Sequence, residues 1–173
     1  VTPPINCWNK QGHGSLDIRE AIEQSCNVFF TTIGFELGKD SEGNFSEARS
    51  LGMLQKYASL MGLDQKTCIE ISEASPQVSD KNAVPSYIGQ GTNTFTTSQL
   101  ARYASTIATS GTIYKLSLLD RVTDSKGKLI KEYPSETAGQ LDLSSNIWDA
   151  IHDGMYRVVQ THDQFNGLGV EVA

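Results

Sequence analysis

The sequence predicts a mainly α-helical fold with one β-hairpin, and three observations carry that prediction. Several stretches space apolar residues three and four apart, as one buried face of a helix requires. Those stretches begin at Asp, Asn, Ser or Thr and most end at glycine, the chemistry of helix starts and stops. One pair of alternating runs is joined by Asp124-Ser125-Lys126-Gly127, a turn sequence.

Residues 1 to 14 read as loop, punctuated by Pro3, Pro4, Gly12 and Gly14. Asp17 and Glu20 then form a capping arrangement that sets two carboxylates at the positive end of a helix. Ile18, Ala21 and Ile22 keep helical spacing until it breaks at Ser25. A second helix resumes near Asn27, with Phe29, Phe30, Ile33 and Leu37 as its apolar residues and Gly38 as its stop. A third is expected over 46–62, on Leu51, Leu54, Tyr57, Ala58 and Met61, closed by Gly62. Residues 67–72 read as a short extended piece. Residues 72–94, rich in Ser, Pro, Asn and Gly, read as a loop long enough to suggest a task.

Thr96 and Gln99 form a capping box for the strongest helical pattern, whose stripe is Leu100, Tyr103, Ala104, Ile107 and Ala108 and whose end is Gly111. The hairpin follows over 113–133. A last helix runs from Ser145 to Gln160 on Ile147, Ile151, Met155, Val158 and Val159. No internal repeat or low-complexity tract interrupts the chain.

The 173 residues suit one domain or a large piece of one. A net charge of −6 and the lack of any basic stripe argue against nucleic-acid binding, which needs clustered Lys and Arg to neutralise phosphates. Cys7, Cys26 and Cys68 allow at most one disulfide and follow no metal-ligand spacing, nor do His13, His152 and His162. No metal site and no cofactor are expected. No signal peptide or membrane-length apolar run is present. The opening Val-Thr-Pro-Pro and the closing residues 167–173 read as cut ends of an excised piece.

The unusual stretch is Ser25-Cys26-Asn27, which breaks an otherwise continuous amphipathic pattern. A hydroxyl that can pass a proton and a carboxamide that can orient a neighbour are useful beside a nucleophile. The plain alternative is that Ser and Asn at a helix junction cap backbone groups. For a bare S-x-N tripeptide that alternative prevails.

The tripeptide has company. Cys7-Trp8, His13-Gly14, Ser25-Cys26-Asn27 and Phe29-Phe30 stand in an order that resembles the segment around the second active-site motif of class B penicillin-binding proteins. Ile88 to Gly91, Thr97, Gln99-Leu100-Ala101 and Gly111 resemble that family's Ile-Gly-Gln-Gly segment and its following helix, and 151–159 resembles its late helix. The resemblance covers nearly the whole chain. It implies the helical subdomain of the penicillin-binding transpeptidase, or serine β-lactamase-like, α/β fold. It also implies a partial domain over 1–173, lying between an S-x-x-K motif and a K-T-G motif.

Neither outer motif is matched in place. Ser125-Lys126-Gly127-Lys128 reads S-x-x-K but lies in the hairpin turn and follows the S-x-N, whereas the family's copy opens a helix and precedes it. Lys66-Thr67-Cys68 lacks the glycine. The resemblance implies a serine-type D,D-transpeptidase that cross-links peptidoglycan stem peptides through an acyl-serine and is acylated by β-lactams. Ser25 would relay a proton, Asn27 would orient the lysine and hold a substrate carbonyl, and Gln90, between two glycines, would line the cleft or make an ordinary turn. Stem peptides, β-lactams and cell-wall synthesis proteins are the implied partners, on the outer face of the bacterial cytoplasmic membrane. Lacking the nucleophile, this chain is expected to be inactive alone. The alternative from another class is a non-catalytic penicillin-binding-like module for β-lactam sensing or protein contacts.

Overall fold

The structure, a computed structural model, describes residues 5–161; Pro3, Pro4, His162 and the closing stretch 167–173 lie outside the described residues. In chain order the elements are α1 (Ile18–Glu23), α2 (Asn27–Leu37), α3 (Glu47–Leu60), α4 (Ala83–Ser86), α5 (Thr97–Ala108), β1 (Thr112–Lys115), β2 (Arg121–Thr123), β3 (Leu129–Glu132), β4 (Glu136–Gln140) and α6 (Ser145–Thr161). They fall into two units. The first holds residues up to 54, then 79–92, then those from 143 onward; the second holds 55–78 and 93–142.

In the first unit, Asp17 Oδ1 accepts from the Glu20 N–H at 2.9 Å and Glu20 Oε2 accepts from the Asp17 N–H at 2.9 Å, the reciprocal box that the sequence predicts. The helix it starts, α1, lies against α6. The expected α6 stripe is not what is buried: Trp148, Ala150 and Gly154 are, while Ile147 is 42% exposed. Where α6 meets α1 the backbones approach closely at Gly154. A Cβ on Gly154 would stand 2.9 Å from Ile22 Cβ and 3.1 Å from the Arg19 carbonyl oxygen. His152 is half-buried with its ring stacked against Trp148.

The second helix follows the same rule. Its buried residues are Thr31 and Gly34, not the expected Phe and Ile positions. A Cβ on Gly34 would enter the Tyr87 ring, whose hydroxyl donates to the Ser50 carbonyl at 2.9 Å. Through that contact the 83–91 segment, expected to be plain loop, docks a one-turn helix, α4, on α2. Gly38 ends α2 with ordinary right-handed angles, and its lack of a side chain admits the Phe45 ring instead.

In the second unit, the Thr96–Gln99 box forms as predicted, but the buried face of α5 is polar. Gln99, Arg102 and Thr106 are buried and Leu100 is 48% exposed. The reason is what α5 covers. Residues 62–74 are loop whose carbonyls need donors, and Arg102 supplies them to Gly62, Gln65 and Lys66 while Gln99 Nε2 donates to Ala74. The expected extended piece at 67–72 forms no strand, because Cys68 takes a left-handed φ of 61°.

The expected hairpin turn is present: Asp124 Oδ1 accepts from the N–H groups of Lys126 and Lys128, each at 2.9 Å, between β2 and β3. The arm is longer than the sequence predicts. Its outer ladder pairs β1 with β4, from Thr112 opposite Gln140 to Lys115 opposite Glu136. The inner ladder pairs β2 with β3.

Candidate functional site

The break at Ser25 has a definite geometry. The Ser25 N–H donates to the Ile22 carbonyl at 3.1 Å and the Cys26 N–H reaches back to the Ala21 carbonyl at 3.0 Å. With Ser25 at φ 46°, this is a Schellman closure of α1, and Ser25 occupies the left-handed position that glycine usually fills. Asn27 then opens α2 at once, with Cys26 as its N-cap. Only three residues, Gln24, Ser25 and Cys26, separate the two helices, and the junction is held from both sides.

Capping does not explain the polar side chains. The N-cap of α2 makes no side-chain hydrogen bond, and among the described residues neither the Ser25 hydroxyl nor the Asn27 carboxamide has a hydrogen-bond partner. Ser25 is exposed and Asn27 half-buried, so both groups are presented, not consumed. Cys26 points the other way and is 6% exposed, as expected of a small buried apolar residue.

The residues preceding α1 lie against the junction from outside. Trp8 Nε1–H donates to the Gln24 carbonyl at 2.8 Å. Its ring meets the His13 ring edge-on at 5.1 Å. The Cys7 and Cys26 sulfurs are 4.0 Å apart, and His13 Nδ1 is 3.6 Å from Cys7 Sγ. Burial pushes the Cys7 thiol up, but the backbone N–H groups of Asn9, Asn27 and Trp8 and the Cys26 thiol outweigh it and hold Cys7 below the ordinary thiol range. Spacing along the sequence offers no metal pattern, yet the fold gathers Cys7, His13 and Cys26 with ligand atoms all within 4.8 Å of one another. Two thiols and an imidazole could hold a zinc-type cation, one ligand short of a tetrahedral set.

Gln90 is exposed on the segment docked against α2. Its N–H donates to the Pro85 carbonyl at 3.1 Å, and it sits between Gly89 at φ 77° and Gly91 at φ 124°. A side chain at Gly91 would collide with the hydroxyls of Ser79 and Ser86. No hydrogen bond connects Gln90 with Ser25 or Asn27. Gln90 thus shares α2 as a scaffold with the junction, and nothing more direct links them.

Both accidental motifs fall in the second unit. Ser125 lies in the exposed hairpin turn, and Thr67 is buried with its N–H and hydroxyl given to Glu73 at 2.7 and 3.0 Å. Glu73 also accepts from Thr96 Oγ1 at 3.0 Å and Ser98 Oγ at 2.6 Å. Burial raises its carboxyl, but these four donors prevail and hold it at about 2. That role is invisible along the chain, because Glu73 lies within the long apparent loop and two of its donors, Thr96 and Ser98, are more than twenty residues away.

The whole chain, residues 1–173, matches the penicillin binding protein transpeptidase domain family. Peptidoglycan D,D-transpeptidase MrdA of Salmonella typhimurium is 27% identical over 176 residues, covering 94% of this chain and 26% of that protein. Penicillin-binding protein 2A of Bacillus subtilis is 27% identical over 165 residues, covering 86% and 22%. The fold is similar to that of penicillin-binding protein 2B from Streptococcus pneumoniae, with a TM-score of 0.75 and 22% identity over 95% of this chain and 30% of that one. The chain spans about a quarter of the length of these curated relatives. No helix among the described residues is long and apolar enough to cross a membrane.

Proposed function

The chain belongs to the penicillin-binding protein transpeptidase domain family, and from that premise we propose that it forms one wall of the active-site cleft of a peptidoglycan D,D-transpeptidase. The nucleophilic serine, its lysine and the K-T-G strand come from the longer protein that carries this segment. That serine attacks the penultimate D-Ala carbonyl of a stem peptide, the terminal D-Ala leaves, and an amine of a second strand resolves the acyl-enzyme. β-Lactams take the donor's place. The site faces the outer side of the cytoplasmic membrane, where peptidoglycan is assembled.

Ser25 relays a proton between the lysine and the leaving amine. Asn27 orients that lysine and donates to the substrate's amide carbonyl, and Gln90 contacts the stem peptide from the docked 83–91 segment. The observation that carries this reading is the junction itself: a serine held at φ 46° and an asparagine opening the next helix, whose polar groups cap nothing among the described residues.

The test is release of D-alanine from a pentapeptide stem substrate by the longer protein. Asn27→Ala is expected to lower that rate by about 10²–10⁴-fold, the range for a positioned acid–base partner. A variant that turns over at the wild-type rate removes Asn27 from the mechanism. A wild-type protein that releases none favours the non-catalytic module.

A further inference from the structure

We infer that Trp8 is a positioning residue for Ser25, acting through the Gln24 carbonyl; this rests on the transpeptidase reading above. A Schellman closure satisfies the carbonyls of Ala21 and Ile22 but leaves that of Gln24, the C-cap of α1, without a helical partner. The Trp8 indole N–H fills that place at 2.8 Å. The peptide unit it holds is the one that connects Gln24 to Ser25, so the bond fixes the plane from which Ser25 takes its left-handed φ of 46°.

The exposure of Trp8 separates this role from packing. Trp8 is 61% exposed, so most of its apolar surface stays in water. What it contributes is one donor in one place. His13 braces the ring edge-on at 5.1 Å, and the adjacent Cys7 is buried against Cys26. The loop 7–14 therefore grips the junction at two consecutive residues, Cys7 inward and Trp8 on the backbone. A serine that must relay a proton has to hold its hydroxyl within a fraction of an ångström, and a loosened peptide plane would spoil that alignment before it spoiled binding.

The experiment uses the longer protein and a fluorescent penicillin, separating non-covalent affinity from the first-order acylation rate. Trp8→Phe keeps the six-membered ring and removes the N–H. Trp8→His keeps an N–H, because imidazole Nε2 overlays indole Nε1. The Phe variant is expected to acylate about tenfold more slowly, with unchanged non-covalent affinity, only the small fall in melting temperature that one lost hydrogen bond brings, and faster hydrogen exchange at the Cys26 amide. The His variant is expected to recover most of the rate. Equal rates in wild type and Trp8→Phe overturn the inference, as does an equal slowing in both variants. A wild-type protein that never acylates instead overturns the transpeptidase reading, and the inference with it.

Discussion

A serine in the left-handed region carries strain that glycine would not, of the order of 1–2 kcal/mol, and Ser25, at φ 46°, is the residue proposed to relay a proton. Ser25→Gly is therefore expected to raise the unfolding free energy by about 1 kcal/mol, whereas Ser25→Ala keeps the strain and gains nothing. Both should lose the relay, so stability and acylation part company in the first variant only; chemical denaturation beside acylation kinetics reads this out. If the two variants unfold alike, Ser25 is not strained. Glu73 offers a second prediction at the same scale. Its folded carboxyl is depressed to about 2 from an ordinary 4.5, so the stability it contributes is present above pH 4.5 and is lost as pH falls through the folded value. Glu73→Gln should flatten the pH dependence of unfolding in that window and cost about 1–3 kcal/mol at neutral pH by weakening hydrogen bonds to a charged acceptor.

Among the elements, the ends of helices were legible and their buried faces were not. Asp17–Glu20 and Thr96–Gln99 each form the box that their spacing implies, because capping is a local matter of four residues. Which face a helix buries depends on what comes to meet it. The α5 stripe of Leu100 and its neighbours yields to Gln99, Arg102 and Thr106 because the neighbour is loop backbone asking for donors. On α2, and where α6 meets α1, a glycine governs the contact because the neighbour approaches too closely for a side chain. Gly34→Ala is expected to push the Tyr87 ring off α2 and cost about 1–3 kcal/mol, as overpacking does. Loss of the Tyr87–Ser50 hydrogen bond, followed by hydrogen exchange around 83–91, checks it; unchanged exchange there would show that α4 is held by something else. The outer ladder was illegible for another reason. Residues 136–140, Glu-Thr-Ala-Gly-Gln, lack β-branched alternation, so only pairing with β1 makes them a strand.

At the scale of the molecule, order along the chain was the informative signal. Three residues of S-x-N say little, but Cys-Trp, His-Gly, Ser-Cys-Asn and Ile-Gly-Gln-Gly in sequence pointed to the transpeptidase fold, and the family match over 1–173 bears that out. Residues gathered from distant positions, such as Cys7, His13 and Cys26, have no such signature, because spacing reveals only ligands that share an element. As proposed, this segment is one wall of an acylating cleft completed elsewhere in the protein. Mass spectrometry of the penicillin adduct tests it most directly, on the longer protein, its Asn27→Ala variant and this chain by itself. A covalent adduct is expected on the longer protein, with about 10²–10⁴-fold slower acylation in the variant and no adduct on the isolated chain. An adduct on the isolated chain, or none on the longer protein, would contradict it.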